Sequence, residues 1–186
     1  MSIILVSPKG SVELVNVLGD EQLISKIAGI SHDSEKGPSI EKLLEWEHFS
    51  PFEFASMTFK IKCPIFVARQ LFRHRTGHYL ERSLRYCEAN LEMLLPNGDN
   101  VEETFELVSK LYHDLLSKDV PKEQARAVLP MGLYTEYYFQ MDMRNLIHML
   151  KMRLDESAQG ETREYAYAIL RHVQESFPII GKYLEK

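Results

Sequence analysis

The apolar positions of this chain change their period several times, and each change marks an element. Residues 3–6 and 12–18 are dense in Ile, Leu and Val, with Pro8-Lys9-Gly10 between them, which predicts a β-hairpin. Leu23, Ile24, Ile27 and Ala28 recur at helical spacing and predict a helix over 21–30. Residues 31–38 are polar and turn-rich. Ser39 is placed to cap a helix running through Leu43, Leu44 and Trp46. Met57, Phe59, Ile61 and Cys63 then alternate with Thr58, Lys60 and Lys62, the pattern of a strand with one dry and one wet face. Pro64 suits the first position of a helix from Ile65 to about Phe72. Beyond it a loop is expected through Gly77.

Val101, Phe105, Val108, Tyr112 and Leu115 form one stripe, so residues 101–118 read as a strong amphipathic helix. Pro121 opens a short helix that is broken before Pro130. Residues 133–141 carry Tyr134, Tyr137, Tyr138 and Phe139 and read as a strand. A buried helix is the alternative, because the period is not clean. Asp142 can cap a helix to about Leu154, and residues 161–176 form a last long helix ended by Pro178. There is no repeat, low-complexity tract or linker, so residues 1–186 read as a single domain. Helices and strands mix without regular βαβ alternation, which favours an α+β fold.

Composition narrows the class. A length of 186 residues can bury a sizeable core, and 45% apolar with 26% charged residues suits a soluble globular chain. No stretch approaches the ~20 apolar residues of a membrane span. The N-terminal apolar run has no basic flank or small-residue cleavage site and reads as a strand. A cytoplasmic protein without a membrane partner is expected. Cys63 and Cys87 are expected as reduced thiols, since two cysteines make no disulfide framework. The net charge of −5 argues against a nucleic-acid partner.

Charge is nevertheless concentrated. Arg69, Arg73, Arg75, Arg82 and Arg85 fall in one short segment with Glu81 as its only acid and no lysine. Guanidiniums repel one another, so such a cluster suits a bound anion, and the planar fork of arginine suits phosphate. A solvated basic surface is the plainer alternative. Histidine, serine, threonine and tyrosine interleave with the arginines, which favours a site. Arg126, Arg144 and Arg153 make a second group. Arg144 and Arg153 should project to opposite sides of one helix, with His148 on the face of Arg144. There is no Gly-x-Gly-x-x-Gly, P-loop or Gly-x-Ser-x-Gly. His74 and His78 have helical zinc-ligand spacing, but the flanking arginines oppose a dication, so no metal is expected. His113 and His172 read as surface or partly buried structural residues.

Arg73-His74-Arg75 followed by Ser83-x-Arg85-Tyr86 resembles the motif of the flavin-dependent thymidylate synthases, Arg-His-Arg-x-x-Ser-x-Asn-x-x-Ser-x-Arg. Four further segments stand in family order, two upstream of it, His48-Phe-Ser50-Pro-Phe-Glu53 and Pro64 through Gln70, and two downstream, Gln124 through Pro130 and Arg144 through Gln159. His78 stands where the family pattern has Ser, Leu80 where it has Asn, and Asp142 where Asn is common.

The resemblance implies a central, mainly antiparallel sheet flanked by helices, in a homotetramer whose active sites form between subunits. It implies reductive methylation of dUMP to dTMP, with methylenetetrahydrofolate as carbon donor, FAD as hydride carrier and NADPH as reductant. For dUMP it implies Gln70, Arg73, Glu81, Arg82, Ser83, Arg85, Arg126 and Arg153, the last as the catalytic residue. For FAD it implies Ser31, Ser50, Arg73, His74, Arg75, Glu81, Arg144 and His148. His48 is implied near the folate or nicotinamide. A related flavoenzyme acting on another pyrimidine nucleotide, or a nucleotide-binding homologue without catalysis, is the alternative.

Overall fold

The computed structural model describes residues 2–185. Five strands form one sheet: β1 (Ile3–Val6), β2 (Gly10–Leu18), β3 (Ser56–Pro64), β4 (His78–Glu81) and β5 (Tyr134–Asp142). Their spatial order is β1-β2-β3-β5-β4, and every neighbouring pair is antiparallel. The helices are α1 (Glu21–Gly29), α2 (Ile40–Glu45), α3 (Ile65–Leu71), α4 (Val101–Ser117), α5 (Lys122–Ala125), α6 (Met143–Leu154), α7 (Gly160–Ser176) and α8 (Pro178–Leu184). This is the α+β arrangement that the element order predicts.

The alternation in β3 sets the sheet's two faces. Met57, Phe59, Ile61 and Cys63 are fully buried and lie opposite Met141, Phe139, Tyr137 and Thr135 of β5. Leu146, Met149 and Leu150 of α6 and Tyr165, Ile169 and Val173 of α7 join the same core. Each large apolar side chain buried there contributes about 1.5–3 kcal/mol relative to exposure. Polar side chains occupy the other face, where Lys60 pairs with Glu136 at 3.1 Å. Leu80 and Tyr138 are cross-strand neighbours on that face, and both are well exposed.

Caps fix the helix starts. Ser39 Oγ accepts from the Lys42 N–H and Asp142 Oδ1 from the Asn145 N–H, as both residue types at those positions predict. The aromatic segment 134–142 is a strand, which resolves the alternative of a buried helix in favour of pairing with β3. Among the described residues no helix is long and apolar enough to cross a membrane.

Several expectations need correction. The chain after Gly77 is not all loop: β4 adds to the sheet edge beside β5. Four residues, three of them polar or aromatic, give too little periodicity to reveal a strand. Pro64 ends β3 and precedes α3 rather than standing inside it. Pro178 ends α7 but opens α8, where its missing N–H is no loss. The Ile179 and Ile180 N–H groups at that start donate to Glu21 Oε1. On α4 only Tyr112 of the predicted stripe is fully buried. Val101, Phe105, Val108 and Leu115 are half-buried, so the stripe is only partly covered within one chain, and Leu107 and Leu111 beside it are exposed. His172 is fully buried: Nε2–H donates to the Val12 carbonyl and Nδ1 accepts from Ser2 Oγ, each at 3.2 Å.

Candidate functional site

The arginine segment is shaped by one tyrosine. The Tyr79 hydroxyl donates to the carbonyls of Leu71 and His74, both at 3.0 Å, and its ring stacks on Phe139 with centroids 5.1 Å apart. The turn between α3 and β4 therefore curls around the tyrosine. Gly77 suits this close approach, since a Cβ there would stand 2.8 Å from Tyr79 Oη and from Met141 Cε, and those side chains would have to shift. The curl turns His74 inward, 9% exposed, and leaves Arg73 and Arg75 in solvent. His78 opens β4, so His74 and His78 do not share a helix face.

His74 meets the end of α6. Arg153 Nε–H donates to His74 Nε2 at 3.0 Å, and Arg153 Nη2 donates to the Gln70 carbonyl at 3.1 Å. The Gln70 side chain donates in turn to Gln159 Oε1 at 2.6 Å. Burial, then the Arg153 charge, then His148 push the His74 pKa down to about 4. His74 is thus neutral at pH 7, with its proton on Nδ1 if Nε2 accepts from Arg153.

That shift has a consequence for stability. An unfolded-chain histidine titrates near 6.5. Between 6.5 and about 4 the unfolded chain holds a proton that folded His74 lacks, so protonation favours unfolding there. The contribution of neutral His74 is complete above 6.5 and is lost as pH falls toward 4. A His74→Gln variant cannot titrate. Its urea unfolding midpoint should fall less steeply across this interval than that of the parent; equal slopes would contradict the assignment.

A second group lies beside α5. Arg85 Nε donates to Glu123 Oε2 at 3.4 Å, and Arg126 Nε donates to the Glu123 carbonyl at 3.3 Å. Ser83 Oγ accepts from the Arg85 N–H at 3.3 Å. Arg82 turns aside and donates to the Glu88 carbonyl. Glu81, at the end of β4, accepts from the Thr135 hydroxyl at 2.7 Å.

A third group joins α6 to the short 3₁₀ turn Ser50–Phe54. Arg144 is ion-paired with Glu53, and Ser50 is exposed on the same turn. His148 is exposed one helical turn beyond Arg144, as their spacing predicts. His48 stands edge-on to Trp46 with ring centroids 5.7 Å apart. Ser31 is exposed beyond α1.

Most of the predicted residues thus fall into three polar groups. No hydrogen bond or ion pair among the described residues joins the Arg85–Arg126 group to Arg153, or joins Ser31 or His48 to either. Gln159, Thr135, Glu53 and Glu123 were given no role in the sequence reading. Gln159 and Glu53 lie within segments that carry the family resemblance, but only the folded chain shows their side-chain partners, Gln70 and Arg144. A groove of about 950 Å³ adjoins Gln159, lined also by Phe66, Val101, Phe105, Val108 and Pro130.

Cys63 is fully buried, and burial pushes its thiol up to about 12 against the lowering effect of Tyr137. It is a poor nucleophile there. Cys87 is exposed.

Comparison with known proteins agrees across nearly the whole chain. The family model for the thymidylate synthase complementing protein matches residues 13–179. A flavin-dependent thymidylate synthase of Thermus thermophilus is 39% identical over 199 aligned positions, covering 92% of this chain and 74% of the relative. One from Thermosipho africanus is 36% identical, covering 91% of this chain and 88% of the relative. The crystal structure of the UMP/dUMP methylase PolB from Streptomyces cacaoi, bound with 5-Br dUMP, superimposes with a TM-score of 0.85. The two are 28% identical, and the match covers 96% of each chain.

Proposed function

The chain belongs to the family of flavin-dependent thymidylate synthases, and on that basis we propose that it methylates dUMP reductively to dTMP. Methylenetetrahydrofolate is the carbon donor and NADPH the reductant. The observation that supports this reading best is the held guanidinium of Arg153. A rigid cation with unoccupied donors suits a base on which negative charge develops.

The donor set fits a flavin dinucleotide. Arg73 and Arg75 have no carboxylate partner within ion-pair distance among the described residues, which suits a pyrophosphate. Ser31, Ser50, Glu81, Arg144 and His148 would complete that site, with His74 at its inner wall. When bound, FAD supplies hydride transfer, chemistry that side chains lack. His48 would stand beside the folate or nicotinamide.

For dUMP, Arg85, Arg126 and Ser83 would hold the phosphate, with Arg82 and Arg73 adding charge. Gln70 and Glu81 would orient the ribose and base. Arg153 would stabilise charge spreading over N3 and the carbonyls as C5 becomes nucleophilic. The separate groups would be joined between subunits of a homotetramer, and the half-covered stripe of α4 suits such contacts.

Two experiments test this reading. Purified protein should be yellow with flavin absorbance bands; a folded, colourless protein that takes up no added FAD would count against it. A Cys63→Ala/Cys87→Ser double variant should still methylate dUMP, because neither thiol is used as a nucleophile. A flavin-loaded double variant without turnover would point to a covalent cysteine route. The likeness to PolB supports a second reading, in which UMP is also accepted, and the same assay with UMP decides it.

A further inference from the structure

Arg153 is held by one edge only. Its Nε–H and Nη2 donors, which meet His74 Nε2 and the Gln70 carbonyl, lie on the same side of the guanidinium. Nη1 and the second Nη2 hydrogen have no protein acceptor among the described residues. They form the end-on fork, the geometry that pairs with two acceptors in one plane.

An imidazole can hold that anchored edge only as an acceptor, with a lone pair on Nε2. This ring has little freedom to turn away. It is 9% exposed, the His74 N–H donates to the Leu71 carbonyl, and the His74 carbonyl accepts from Tyr79 and Gly77. The Gln70 carbonyl belongs to α3 and is equally fixed.

We infer that His74 is a positioning residue for Arg153, its Nε2 fixing the guanidinium so that the end-on fork meets N3 and an adjacent carbonyl oxygen of a uracil base as negative charge spreads onto them. The inference rests on the reaction proposed above. It gives His74 work beyond lining a cofactor site: the ring sets the plane of a neighbouring cation. The depressed pKa keeps the acceptor lone pair available at neutral pH.

The test compares His74→Leu with His74→Gln in the flavin-loaded enzyme. Leucine removes the acceptor, whereas glutamine can set an amide oxygen near the position of Nε2. Because His74 also borders the proposed flavin site, both variants are assayed at saturating FAD and kcat is taken per bound flavin. His74→Leu should lower kcat about fivefold, or about 1 kcal/mol of transition-state stabilisation, with little change in KM for dUMP. His74→Gln should recover most of that loss. Parental kcat in His74→Leu, or equal impairment in both variants, would overturn the inference.

A second measurement does not depend on the reaction. Unfolding of the ligand-free parent, His74→Leu, Arg153→Met and the double variant gives a double-mutant cycle. Coupled effects support the His74–Arg153 contact, and additive effects overturn it. If the parent makes no dTMP while the cycle shows coupling, the proposed reaction fails and the contact stands.

Discussion

Replacing Arg153 by lysine is expected to cut dTMP formation more than tenfold while NADPH oxidation through the flavin persists. Arginine donates from Nε to His74 and from Nη2 to the Gln70 carbonyl and still has a fork to offer. Lysine keeps the charge but offers a single ammonium, which cannot bridge both anchors and also face a planar ligand. A tenfold loss corresponds to about 1.4 kcal/mol of transition-state stabilisation. Because the flavin contacts lie on other residues, reduction by NADPH should continue, so the two half-reactions separate. Near-normal methylation by both Arg153→Lys and Arg153→Ala would remove Arg153 from the chemical step.

Arg85→Ala and Arg126→Ala should each weaken dUMP binding and leave flavin in place. The two guanidiniums converge on Glu123, one on its carboxylate and one on its carbonyl. The Arg85–Glu123 pair is half exposed, and such surface pairs are worth only about 0–1 kcal/mol, so a phosphate can replace the carboxylate at small cost. A lost charge-assisted contact is worth about 1.5–3 kcal/mol, or roughly ten- to hundredfold in affinity. Calorimetric titration of the flavin-loaded variants measures it. Unchanged affinity in both would reject the phosphate assignment, and loss of flavin would move these arginines to the other site.

The parts of the fold that were legible in the sequence are those whose burial follows a single local period. β3 declares itself because each alternate side chain enters the core, and Asp142 and Ser39 declare helix starts because their oxygens bond nearby N–H groups. β4 was hidden because its partner is β5, more than fifty residues away, and its own pattern is too short. The pattern of α4 promised more burial than one chain supplies, since a hydrophobic stripe does not say what covers it. His172 was misjudged for a related reason: its partners, Val12 and Ser2, come from the other end of the chain.

The site divides in the same way. Residue types gave the anion-binding character of the arginine segment, and the family resemblance supplied the role proposed for each position. Neither disclosed that His74 faces inward and accepts from Arg153, because Tyr79 and Gly77 set that turn through contacts made only in the folded chain. The pairing of Gln70 with Gln159 joins α3 to the start of α7 and was equally invisible.

The most direct test of the proposed function is dTMP formation by the purified, flavin-loaded protein from dUMP, methylenetetrahydrofolate and NADPH, with each component omitted in turn and the product identified by mass. Formation of dTMP in the complete mixture, and its absence when dUMP, the folate or NADPH is left out, is the predicted result. Unchanged dUMP in the complete mixture, with folded protein and bound flavin, would contradict it.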